Sequence, residues 1–167
     1  MFGTLNGVPG VNVQFSSTQT LLEPTSAPAR ITVNPDTTAL DNLTISVVGR
    51  TFGDLIFNPA ISTVGNPGGT AHVTVNSVDD LGNPEVPSPF DYSLSNGQNF
   101  LTITTTGGEK IVDMTIEYPS GFTDLRGVTI SAVTVPEPST FVPLLSLALG
   151  SIILVLKPRN ICNVSSR

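Results

Sequence analysis

FDYSLSNGQNFLTITTTGGEKIVDMTIEY, residues 90–118, decides the fold class. Leu101 and Ile103 alternate with Thr102 and Thr104, and Val112, Met114 and Ile116 alternate with Asp113, Thr115 and Glu117. A period of two puts one set of side chains on a buried face and the other toward water, which is the signature of a strand. Asn96-Gly97 and Gly107-Gly108 accept positive φ at little cost. The stretch is therefore expected to fold as a three-strand meander, reversing at each of those pairs.

The same alternation recurs on both sides of this stretch. Leu43, Ile45 and Val47 alternate with Thr44 and Ser46, Val73 and Val75 with Thr74 and Asn76, and Val128, Ile130 and Ala132 with Thr129 and Ser131. Weaker strand patterns cover Val11 to Phe15, Ala29 to Val33, Leu55 to Phe57 and Phe90 to Leu94, for about nine short strands in all. Turn signals separate them at Asn34-Pro35-Asp36, Asn66-Pro67-Gly68-Gly69 and Asn83-Pro84. Nine strands in one flat sheet would leave too much apolar surface wet. The expectation is an all-β antiparallel sandwich or jelly roll over residues 1–134.

Composition agrees with one such domain plus an appendage. The chain has 167 residues, 15 glycines and 14 prolines, and only 12% charged residues. Up to Thr134, twelve acids face four cations, Arg30, Arg50, Lys110 and Arg126, for a formal charge of −8. That sign excludes nucleic acid as a natural partner. From Val135 onward, Glu137 faces Lys157, Arg159 and Arg167, for +2. The only cysteine, Cys162, lies in that tail, so the main domain has neither a disulfide nor a thiolate metal site.

The tail divides into three parts. Residues 135–140 read VPEPST, residues 141–156 read FVPLLSLALGSIILVL, and residues 157–167 carry the closing cations. The sixteen apolar residues would span about 24 Å as a helix, against a hydrocarbon core of about 30 Å. Apolar all round, this segment is expected to be a transmembrane-type helix. Lys157 and Arg159 would hold its end in the cytoplasm, leaving the β domain outside.

In this order and spacing the tail resembles the PEP-CTERM sorting signal, in which a Val-Pro-Glu-Pro-Ser-type motif precedes a short apolar helix and a basic cluster. The resemblance implies that an exosortase-type processing enzyme recognises Val135, Pro136, Glu137, Pro138 and Ser139, while the helix and its cations hold the chain at the membrane. It also implies transit through the inner membrane to the cell surface or extracellular matrix, near exopolysaccharide. Prolines suit the role physically, because they keep a segment extended for a processing groove. Residues 1–20 hold no basic n-region and no continuous apolar run, so the expectation is a start further upstream or a truncated copy.

Chemistry is sparse in the main domain. His72, the single histidine, is expected to point outward with Thr74 and Asn76, as a solvated strand residue. Asp113 and Glu117 share a face, but four residues of strand separate them by about 13 Å, beyond the roughly 5 to 9.5 Å of paired glycosidase carboxylates. Asp36, Asp41, Asp79 and Asp80 lie near turns that would suit calcium, yet none has EF-hand spacing, and turn capping is the simpler role. No cofactor is implied. Glycan binding usually wants exposed aromatic platforms, and with no tryptophan and only Tyr92 and Tyr118 the sequence argues against it.

The function expected from sequence is a non-enzymatic protein of the cell surface or matrix, sorted through its tail. The alternative is a membrane-anchored module binding polysaccharide or calcium, and a hydrolase ranks last.

Overall fold

The computed structural model describes residues 1–5, 8–22, 30–33, 39–62 and 68–134. These form twelve antiparallel strands: β1 (Phe2–Thr4), β2 (Asn12–Ser16), β3 (Leu21–Leu22), β4 (Arg30–Val33), β5 (Leu40–Val47), β6 (Asp54–Ile61), β7 (Gly69–Val78), β8 (Ser88–Leu94), β9 (Gly97–Gln98), β10 (Leu101–Thr104), β11 (Lys110–Phe122) and β12 (Asp124–Ser131). A front sheet runs β1-β2-β5-β11-β7-β8, and a back sheet runs β10-β6-β12-β4-β3 with β9 on the end of β6. All nine strands expected from alternation are present, and the three additions, β1, β3 and β9, have only two or three residues each. The fold is an all-β antiparallel sandwich.

Inward side chains from both sheets form one core. Leu43, Ile45, Leu55, Phe57, Met114 and Ile116 are all fully buried within it. At about 25 cal/mol per Å² of apolar surface removed from water, this is the dominant stabilising term. Every buried side-chain nitrogen and oxygen among the described residues has a hydrogen-bond partner. Tyr118 is not exposed as a tyrosine platform would require; it is part of the core, its ring 5.4 Å from that of Phe122. It lies so close over β7 that a Cβ on Gly69 would come within 2.7 Å of its ring. Only glycine fits there.

The expected meander does not form. β8 pairs with β7, β10 with β6, and β11 with both β5 and β7, so none of the three pairs with another. At Asn96-Gly97, with Gly97 at φ 87°, the chain leaves the edge of the front sheet and enters the back sheet. Asn99 fixes this crossing: its Oδ1 accepts from Ser95 N at 2.7 Å, and its Nδ2 donates to Ser95 O at 3.0 Å and Pro59 O at 3.1 Å. At Gly107-Gly108, φ 66° and 89°, the chain crosses back. Positive φ was read correctly, but it serves a change of sheet rather than a hairpin.

Two expected inward positions also change. A register shift between Ile111 and Asp113 buries Ile111 completely and turns Val112 outward, 36% exposed. Such a bulge inserts one residue and inverts the alternation before it. Ala132 lies beyond the end of β12 with φ 51°, and it is exposed.

The connections β1–β2, β5–β6, β7–β8 and β10–β11 gather at one end of the sandwich. The described chain finishes there as well, with Thr134 N donating to Thr51 O at 2.9 Å. Among the described residues no helix is long and apolar enough to cross a membrane. The apolar segment 141–156, the motif at 135–140 and the Asn34-Pro35-Asp36 turn all lie outside the described residues.

Candidate functional site

The outward face of the front sheet is an ordered polar surface. Pairing is antiparallel and in register over its central strands, so outward side chains line up in rows across the strands. One row is Asp91, His72, Glu117 and Asn42, from β8, β7, β11 and β5. The next is Thr74, Thr115, Thr44 and Ser16, within which the Thr44 and Thr115 hydroxyls are 2.8 Å apart. A third is Asn76, Asp113, Ser46, Gln14 and Phe2.

His72 points outward as expected, its side chain 61% exposed. Its Nδ1 lies 2.6 Å from Asp91 Oδ1, and Glu117 is its opposite neighbour on β11. The imidazole is thus flanked by carboxylates on both adjoining strands. Such an arrangement holds the ring but supplies no nucleophile. Asp113 and Glu117 lie in different rows, and Asp113 is engaged by Asn76 Nδ2 at 2.7 Å. Their strand separation leaves them apart, as expected.

The middle of the third row, Asp113, Ser46 and Gln14, borders a shallow dent of about 490 Å³. Two irregularities create it. Gly49, at φ 65°, closes the tight turn after β5, with Arg50 N donating to Val47 O at 3.1 Å. The bulge on β11 places Val112 across from that turn, and Val48, 48% exposed, stands at the rim. Arg50, Asp113, Gln14 and Ser46 supply the polar lining. Arg50 forms no salt bridge with any described residue. The other two arginines, Arg30 and Arg126, both lie against Asp124.

The remaining candidates have structural roles. Asp79 Oδ1 accepts from Leu81 N at 2.9 Å and Asn83 N at 2.7 Å, while Oδ2 accepts from Asn83 Nδ2 at 2.8 Å. These bonds, those from Asn83 first, hold its carboxyl below the ordinary carboxylate value. It caps its own turn. Asp41 Oδ1 accepts from Asn42 Nδ2 at 2.7 Å, beside a Gln19 side chain that bridges Ala39 O and Asp41 N. Among the described residues no three histidine, cysteine or acidic side chains gather as a metal ion would require. Tyr92 is half-buried, and its hydroxyl donates to Phe100 O at 2.9 Å, joining the two sheets along one side.

A second cavity, about 420 Å³, opens between the sheets where β1 and β2 face β4 and β12. Phe15, Ile31, Leu125 and Ile130 line it, with no charged side chain among the lining residues to orient a ligand.

The sequence-predicted motif Val135, Pro136, Glu137, Pro138 and Ser139, and the cations Lys157 and Arg159, lie outside the described residues. Phe2, Gln14, Arg50 and Asn76 were not singled out from sequence. Their common feature is register across strands distant in sequence, which no local pattern encodes.

No family model matches the chain, and no curated protein matches it. Among solved structures it is similar to the family 11 carbohydrate-binding module from Clostridium thermocellum, determined in complex with a β-1,3-1,4-mixed-linked tetrasaccharide. Identity is 7%, the likeness covers 76% of this chain and 91% of that one, and the TM-score is 0.38.

Proposed function

We propose that this chain is a non-catalytic protein of the cell surface or extracellular matrix, sorted through its C-terminal tail. The observation that carries the reading is a junction. The last described residue, Thr134, is tied to Thr51 through backbone and hydroxyl, and the VPEPS motif begins at the next position in sequence. A processing enzyme needs an extended substrate free of competing hydrogen bonds. Prolines at 136 and 138 lack a backbone N–H and favour an extended segment, which suits that need. The acidic domain charge of −8 favours solubility outside the membrane.

Cell fractionation combined with intact mass measurement of the mature protein tests this. Surface or extracellular protein that has lost everything after about residue 138 is the expected result. Full-length protein confined to the cytosol would contradict it.

A second reading accompanies the first: once displayed, the sandwich acts as a ligand-binding module. It is favoured by the dent at Arg50 and Asp113, where a guanidinium that forms no salt bridge with any described residue and a carboxylate share one concave patch. Substitution of both residues, followed by a binding screen against surface polysaccharides, tests it. Loss of retention is expected, and unchanged retention would remove the reading.

A further inference from the structure

We infer that the row Asn76–Asp113–Ser46–Gln14–Phe2, with the dent beside it, is a binding track for a neutral polysaccharide that lies across the strands. The inference rests on the ligand-binding reading and gives it a place and a ligand class.

Shape argues for a polymer. The five residues come from five neighbouring strands, β7, β11, β5, β2 and β1, and are paired in register one to the next. At about 4.8 Å between strands the row is about 19 Å long. A compact ligand would touch one part of it. An extended chain of repeating units can touch all of it.

Charge argues for neutrality. Asp113 and Arg50 both line the dent, so a polyanion meets the carboxylate and a polycation meets the guanidinium. The domain's formal charge of −8 adds to the cost for a polyanion. A zwitterion would satisfy both groups, but in an open dent its ion pairs stay hydrated and contribute little. Neutral hydroxyls avoid that problem. Each can donate to Asp113 and accept from Arg50 in charge-assisted hydrogen bonds, which are stronger than neutral ones.

The remaining surface suits sugar rings. Asn76, Ser46 and Gln14 provide donors and acceptors along the row. Phe2, 64% exposed at its end, offers an aromatic face, and Val48 and Val112 offer smaller apolar ones for C–H groups. The polar groups are set on strands rather than loops, and Asn76 already fixes Asp113 at 2.7 Å. Asp113 and Asn76 are thus already held against each other before a ligand arrives.

The experiment is affinity electrophoresis and calorimetry on the full chain in detergent, with four probes: a neutral β-glucan, polygalacturonate, chitosan and glycine betaine. Binding of the neutral glucan alone is expected, weakened at least tenfold by Asp113→Asn and severalfold by Arg50→Ala and Phe2→Ala. Thr129→Ala on the back sheet is expected to leave it unchanged. Thermal midpoints of all variants separate loss of binding from loss of fold. Absence of glucan binding, a preference for any of the charged probes, or indifference to both Asp113→Asn and Arg50→Ala would overturn the inference. Surface delivery of the same variants is read in parallel. Delivery without binding sinks the track alone, whereas loss of delivery by the unmodified chain sinks the display reading.

Discussion

The two outer faces of the sandwich draw on the same residue types and use them differently. On the back sheet, polar groups bond to one another. Asp124, only 6% exposed, receives Arg126 through two bonds of 2.7 and 2.6 Å, with Arg30 at 3.9 Å. Ser131 donates to Asp54 at 2.6 Å, and buried Asn58 accepts from Asn99 N at 2.9 Å. A register shift between Arg126 and Thr129, where Gly127 takes φ 64°, interrupts the rows. On the front sheet the rows run unbroken across the central strands, and beside them Arg50 forms no salt bridge with any described residue. The back face gathers two arginines on one buried carboxylate, whereas the front face pairs its polar groups near the surface and leaves Arg50 out of any salt bridge with a described residue.

Substitutions should therefore behave differently on the two faces. Asp124→Ala is expected to have the largest effect, a loss on the order of 3 kcal/mol, because it strands the partly buried Arg126. The midpoint of denaturant unfolding measures it, and a loss below about 1 kcal/mol would erase the distinction. Asn99→Ala comes next, at about 2 kcal/mol, since the 6% exposed carboxamide carries the hydrogen bonds of the sheet crossing. On the front face, Asp91→Asn and Gln14→Ala should each stay within about 0.5 kcal/mol, as expected of exposed pairs and surface positions.

A smaller effect concerns the loop at Asp79. Its carboxyl is held below the ordinary value by hydrogen bonds from Asn83, Leu81 and Gly82. A carboxyl whose folded-state pKa is depressed adds stability at pH above its unfolded value, near 3.8, and that contribution disappears as pH falls through the folded value. Protection of the Leu81 and Asn83 amides, measured against their intrinsic exchange rates, should therefore fall selectively in acid below that point. In an Asp79→Asn variant the pH dependence should vanish.

The fold class was legible because burial leaves a local trace. Leu43 to Val47 and Leu101 to Thr104 alternate in sequence exactly as far as they alternate in space, since each is regular strand with one wet face. Strand partnership leaves no such trace. Residues 90–118 gave the right strands and the right positive-φ glycines, but whether Gly107-Gly108 turns a hairpin or changes sheets depends on β5 and β7 already flanking the place of β11. The bulge at Val112 was hidden for a related reason, because an inserted residue shows only against its neighbour. At the site, His72 and Asp113 could be placed outward from sequence. Asn76 could be placed outward too, but that Asp91, Gln14 and Phe2 join these residues in rows could not be read, because register alone brings those strands together.

Backbone amide mapping by NMR on the full chain in detergent, during titration with a neutral β-glucan oligosaccharide, tests the contrast between the faces most directly. The account predicts shifts concentrated at Gln14, Ser46, Arg50, Asn76 and Asp113, with Asp54, Thr129 and Ser131 on the back sheet unmoved. Shifts centred on the back sheet, or none at saturating ligand, would contradict it.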